Sequence, residues 1–113
     1  MSDNQIKAEI ETYLGDPSHL FLNLATVTAE GAPLARTVAF AADGATVYFG
    51  TSKDSRKIAD ITANPKVAYT VDQDQYDSFA EITGVQMEGT ATVISDAQEI
   101  AKADKLYKAK FGE

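Results

Sequence analysis

The chain has 113 residues, 44% hydrophobic and 24% charged, with seven Gly and three Pro, the proportions of one ordinary soluble domain and too few for two. Ten Lys and Arg against seventeen Asp and Glu leave a formal charge of -7, a field that repels polyanions and argues against nucleic acid as a partner. Zero Cys and a single His exclude disulfides, thiol nucleophiles, thiolate metal sites and paired imidazole ligands, and no window approaches the roughly 18 uninterrupted apolar residues of a membrane span.

The N-terminus opens on Ser2, Asp3, Asn4 and Gln5 with no basic and apolar leader, so the expected location is the cytoplasm. Ser2 and Gln5 form a capping-box pattern, and Ile6, Ile10 and Tyr13 or Leu14 recur at helical spacing up to Gly15 and Pro17, which predicts an opening amphipathic helix. Residues 20–28 are rich in Phe, Leu, Val and Thr. Glu30, Gly31, Ala32 and Pro33 then supply a turn before a second run over 34–41, the signature of a β-hairpin. Asp43 and Gly44 make the next tight turn, with a strand over 46–50 behind it. Ile58, Ile61 and Thr62 share a helical face that Asn64 and Pro65 terminate. Val67, Tyr69 and Val71 alternate as a fourth strand, followed by an acidic loop over 72–78 and a β-like stretch over 79–94, in which Gly84 and Gly89 mark bends or bulges. Ser95 with Gln98 repeats the capping signal, and Ile100, Ala103, Tyr107 and Phe111 line a last helix closed by Gly112. The expected fold is mainly β, of the α+β type: one domain over 1–113 built as an antiparallel barrel of five to six strands with flanking helices.

The chemistry concentrates between Thr51 and Lys57. Three of the ten cations, Lys53, Arg56 and Lys57, stand there with the hydroxyls of Thr51, Ser52 and Ser55 at the mouth of the middle helix. A cation in a first helical turn opposes the macrodipole at a cost of roughly 0.3–1 kcal/mol, and a bound anion reverses that sign. A solvated cationic face with Asp54 as N-cap is the alternative. In the second strand Leu34, Arg36, Val38 and Phe40 share one face, while Ala35, Thr37, Ala39 and Ala41 make the other unusually small. Arg36 on an apolar face requires an Asp or Glu, a ligand phosphate, or a route for its head to reach water.

Arg36, Thr37 and Val38, then Tyr48, Phe49, Gly50 and Thr51, then Ser55, Arg56 and Lys57, then Asn64 and Pro65, and finally Glu88, Gly89, Thr90 and Ala91 follow in an order and spacing that resembles the pyridoxamine 5′-phosphate oxidase-like flavoproteins of the FMN-binding split barrel, over roughly residues 20–95. The resemblance implies FMN as cofactor, with Arg36, Arg56 and Lys57 on its phosphate. Residues 36–41, among them Thr37, Val38 and Ala39, and the Gly50 and Thr51 pair would lie along the flavin, Thr51 adding a hydrogen bond and Ser55 belonging to the same site. It also implies a homodimer that completes the flavin site with the partner's surface.

Two departures from the family pattern bear on function. Aligning on Gly89 puts Gly84 where the oxidases have a flavin-contacting Gln and leaves Gln86 as the nearest candidate. The chain also has no Trp and no Arg-His substrate motif, which speaks against pyridoxamine phosphate oxidation. It stops after its last helix without a closing strand, as a short member or an incomplete chain would. Elsewhere, Asp72, Asp74 and Asp77 lack the Gly and the twelfth-position Glu of a calcium loop and read as a solvated acidic turn, so no metal is expected. His19, in a turn beside Pro17 and Ser18, is expected at the surface. Tyr48, Phe49, Tyr69 and Phe79 read as core or ligand-lining aromatics. The reading is an FMN-dependent oxidoreductase acting on a small-molecule redox substrate. The alternatives are a flavin carrier or stress-related protein with little turnover, and a relative that holds deazaflavin or haem in the same groove.

Overall fold

Helix α1, Asp3–Gly15, begins as its capping pattern predicts: the Gln5 amide donates to Ser2 Oγ at 3.2 Å and the Ser2 amide to Gln5 Oε1 at 2.8 Å. These positions come from a computed structural model that describes residues 2–52, 54–72 and 84–112. The helix buries Leu14 and partly covers Ile10 and Tyr13. Asp16 ends it, its carboxylate accepting from both the amide and the hydroxyl of Ser18 at 2.9 Å, bonds that hold its pKa below the usual value.

That turn folds back on the helix, and His19 is buried, not at the surface as expected from its turn-rich neighbours. Its ring stacks on Tyr13 with centroids 4.0 Å apart, and Nδ1 donates to the Tyr13 carbonyl at 2.7 Å. The helix's last turn thus gives the imidazole both an aromatic face and an acceptor.

Strands β1, Phe21–Val27, and β2, Pro33–Ala39, pair antiparallel from Phe21 opposite Ala39 to Val27 opposite Pro33, around a turn where Gly31 takes a φ of 86°. The run expected over 34–41 breaks at Phe40, whose amide donates to Leu20 O at 3.2 Å. Beyond it, β3, Ala41–Asp43, and β4, Thr46–Tyr48, form a separate short hairpin about Gly44. Helix α2, Arg56–Ala63, leads into β5, Lys66–Asp72, which pairs with the other side of β1, and β6, Gly84–Thr90, pairs with β5 along its whole length.

The sheet order is β2-β1-β5-β6, antiparallel throughout, so the architecture is α+β with six strands among the described residues. A pairing of this sheet with the β3–β4 hairpin, which would close the expected barrel, is not among the described strand pairs. The unbroken β5–β6 register also overturns the bulges expected at Gly84 and Gly89. Gly84 answers to a close approach instead, since a Cβ there would stand 3.2 Å from the Val71 carbonyl oxygen. Asp74, Asp77, Phe79 and Lys53 lie outside the described residues.

The core joins Leu14 of α1, Leu22 and Leu24 of β1, Val38 of β2, Phe40, and Tyr69 and Val71 of β5. Helix α3, Ala97–Phe111, is capped by Asp96, one residue later than expected: its carboxylate accepts from the Glu99 amide at 3.0 Å, and a carboxylate at the positive helix end outcompetes the Ser95 hydroxyl. Gly112, at a φ of 76°, closes it. Among the described residues no helix is long and apolar enough to cross a membrane.

Candidate functional site

The strand alternation places Arg36 on the β2 face it shares with buried Val38, opposite Leu24 in register, where its side chain is 21% exposed. Of the answers open to it, a carboxylate is the one present. Arg36 Nη2 stands 3.5 Å from Asp60 Oδ2, and Asp60 is only 6% exposed on the inner side of α2. One helical turn before Asp60, Arg56 brings Nε to 3.8 Å from the same oxygen. Two guanidinium groups from different elements therefore meet at one buried carboxylate.

Lys57 follows Arg56 in the first turn of α2, is half-buried, and forms no ion pair among the described residues. The N-cap is Ser55, not the Asp54 of the surface alternative, and its side chain makes no capping bond. Its Oγ instead accepts from Thr51 Oγ1 at 3.1 Å. No acidic residue occupies the first turn. The helix thus starts with two cations, no carboxylate and no side-chain cap, and with the Ile58 amide taken by Ser55 O at 3.2 Å the amides left for an acceptor from outside are those of Arg56 and Lys57.

Ala39 and Gly50 are joined through a residue that the sequence reading assigned only to packing. Tyr107 Oη of α3 accepts from the Gly50 amide at 3.1 Å and lies 2.7 Å from Ala39 O and 3.1 Å from Tyr48 O, so its single proton goes to the shorter contact. Burial pushes the Tyr107 phenol up from its ordinary pKa, against a smaller downward pull from the Gly50 amide, so it stays protonated at neutral pH and keeps its donor. Lys110 adds a second tie, donating to Phe40 O at 2.8 Å. Tyr107→Phe leaves the Gly50 amide and the Ala39 carbonyl without this partner. It is expected to destabilise the chain by about 1–3 kcal/mol, read as a lower urea midpoint at unchanged slope.

Thr37 and Gln86 are brought to the opposite face of the sheet. Thr37 pairs with Asn23, Asn23 with Thr70 and Thr70 with Gln86, a single row across four strands. Along that row Thr37 Oγ1 donates to Asn23 Oδ1 at 3.2 Å, and Asn23 Nδ2 donates to Thr70 Oγ1 at 3.1 Å and Asp72 Oδ2 at 2.9 Å. Gln86 is exposed there and forms no hydrogen bond with the arginine cluster among the described residues.

A cavity of about 980 Å³ opens between the inner sheet face, with Leu24, Tyr69 and Met87, and α3, with Ile100 and Tyr107. Of the expected site residues Ala39, Gly50 and Thr51 line it, whereas Arg36, Thr37, Val38, Ser55, Arg56, Lys57 and Gln86 do not.

Compared with known proteins, residues 4–113 match the family described as pyridoxamine 5′-phosphate oxidase. No curated protein matches the sequence at a significant level. Among solved structures, a conserved hypothetical protein of Mycobacterium tuberculosis superposes with a TM-score of 0.78 at 19% identity, over 98% of this chain and 64% of that one. The haem storage protein HutZ of Vibrio cholerae gives 0.72 at 20% identity, over 98% and 76%. An F420 reductase gives 0.68 at 28% identity, over 90% and 75%. The first two likenesses are of fold alone, and the chain spans 64% of the length of the first.

Proposed function

Since the chain belongs to the pyridoxamine 5′-phosphate oxidase-like split-barrel family, we propose that it is an FMN-dependent oxidoreductase, acting in the cytoplasm as a homodimer on a small-molecule redox substrate. The observation that carries this reading is the meeting of Arg36 and Arg56 at Asp60, beside Lys57 and the uncapped start of α2. Three cations against one buried carboxylate leave an excess of positive charge. A phosphomonoester, at roughly -1.5 to -2 near neutral pH, would match it and would accept from the first-turn amides at the same time.

These residues fit the phosphate end of FMN. Arg36, Arg56 and Lys57 would bind it, Thr51 and Ser55 would add hydroxyl contacts, and the segments around Ala39 and Gly50, held by Tyr107, would border the ring. When bound, FMN supplies the electron and hydride transfer. The chain's own contribution is binding and orientation. The phosphate cluster contains no histidine and no thiol, in keeping with a site that holds a cofactor and leaves the redox chemistry to it.

A phosphate site favours FMN over haem. The single histidine is buried against Tyr13 and is not among the residues that line the cavity, so it is not placed to ligate a haem iron there. The test is a purified chain that is yellow and releases FMN on denaturation, identified by mass. The apo-chain should bind FMN at least about tenfold more tightly than riboflavin. Reduction by NADH or NADPH with reoxidation by an added acceptor distinguishes an enzyme from a carrier. Equal affinity for the two flavins removes the phosphate reading.

A further inference from the structure

We infer that Asp60 is the positioning residue of the anion site: its buried carboxylate holds the guanidinium of Arg36, from β2, and that of Arg56, from α2, so that both address one phosphate group. The inference rests on the phosphate reading above and assigns the residue that assembles that site.

The argument begins with burial. Asp60 is 6% exposed, and a carboxylate taken out of water needs compensating cations or donors. Its partners come from two elements far apart in sequence, so the carboxylate fixes where the first turn of α2 lies against β2. The distances then limit what the pairing is. At 3.5 and 3.8 Å both contacts exceed the roughly 2.7–2.9 Å of a charge-assisted hydrogen bond, and Asp60 Oδ2 accepts no hydrogen bond from any described group.

Each guanidinium is therefore attracted to the carboxylate without spending its N–H donors on it. Arg carries five such donors in a planar fork, suited to gripping a second oxyanion while the first holds it in place. The difference in exposure assigns the two arginines different parts. Arg36, at 21%, is fixed within the fold, and Arg56, at 67%, is free to swing onto a ligand from the same anchor.

A plain counterion makes the opposite prediction. If Asp60 only neutralised the arginines it would compete with the phosphate, and removing its charge would tighten anion binding. Positioning predicts that removing it loosens binding, because two long side chains then have to be ordered by the ligand itself.

Asp60→Asn keeps the shape and removes the charge. It is expected to weaken FMN about tenfold and leave riboflavin within about twofold. Asp60→Glu should recover part of the loss. In an Arg36→Ala, Arg56→Ala background the Asp60→Asn change should add less than about twofold, since nothing remains to position. Should the Asn variant fail to fold, Asp60→Glu carries the test alone, with FMN about threefold weaker and riboflavin unchanged.

Inorganic phosphate, followed by its effect on thermal unfolding, is a probe independent of the flavin. The wild-type chain should be stabilised by phosphate, and Asp60→Asn should lose most of that gain. If phosphate behaves so while FMN and riboflavin bind alike, the flavin reading falls and the Asp60 assignment stands. Where the wild-type chain prefers FMN to riboflavin, FMN that binds equally well or more tightly to Asp60→Asn, losses equal for both flavins, or full additivity in the double-arginine background would each overturn it, and phosphate that stabilises Asp60→Asn as fully as the wild type overturns it in either case. A wild-type chain that binds neither FMN nor phosphate overturns both.

Discussion

Phe40→Ala is expected to remove about 3–5 kcal/mol of stability, a large share of the roughly 5–15 kcal/mol that holds a domain together. The ring is fully buried at the junction of β2 and β3, packed in the cluster of Leu14, Leu22, Leu24, Val38, Tyr69 and Val71. Truncation leaves a cavity where the hairpin leaves the sheet. The site adds a second loss, because Lys110 Nζ sits 3.7 Å above the ring centroid while it donates to the Phe40 carbonyl.

Burial lowers the pKa of that lysine, against a weaker upward pull from Asp16. Without the ring the ammonium keeps its carbonyl and loses its nearer aromatic face, with only the Phe111 ring left at 5.5 Å, so the C-terminal half of α3 loosens along with the core. Urea denaturation measures the sum. A midpoint shift equivalent to less than about 1.5 kcal/mol would mean that the site collapses around the missing ring. Phe40→Leu fills most of the space and isolates the lysine contribution, expected at about 0.5–2 kcal/mol beyond the packing change.

How much of this was legible in the sequence follows the range of each interaction. The capping box of α1, the β1–β2 hairpin and the apolar face carrying Arg36 all appear as read, because each is set by neighbours a few residues apart. So does the gathering of cations at the start of α2, which composition alone displays.

Asp60 was invisible as a partner. On the helix it is one acidic residue beside Ile61, and only the packing of α2 against the sheet brings it to Arg36. The spacing of Arg56 and Asp60, four apart on a face that carries Ile61's neighbour inward, was the one local signal available. Tyr107 was placed on an apolar face, correctly, but its hydroxyl meets Ala39, Tyr48 and Gly50 across the fold, and no periodicity encodes that. His19 failed for a related reason: turn composition predicts exposure, and the stacking with Tyr13 that buries it depends on how the turn folds back. Gln86 and Thr37 show the converse. Register alone sets them in one row on the sheet face away from the arginines, and the structure does not bring them to that cluster.

Replacing Arg56 and Lys57 together by alanine is expected to weaken FMN by about a hundredfold to ten-thousandfold, with about tenfold to a hundredfold for either change alone. Each charge-assisted contact to a phosphate contributes about 1.5–3 kcal/mol, and two on one group set the upper bound. Riboflavin, without the phosphate, should bind the double variant as it binds the original. Rising salt should lower FMN affinity for the original chain and have little effect on the variant.

Stability pulls in two directions, and the magnitudes decide the sign. Removing first-turn cations relieves roughly 0.3–1 kcal/mol each of repulsion from the helix dipole, while losing Arg56 gives up a long ion pair to Asp60, exposed on the Arg56 side only, worth on the order of 1 kcal/mol. Arg36 still compensates the buried carboxylate, so the fold should survive and the melting temperature of the apo-chain should hold or rise slightly. Titration of apo-chain with the two flavins at two salt concentrations reads all of this at once. Unchanged FMN affinity, or equal losses for FMN and riboflavin, would take the phosphate away from the start of α2.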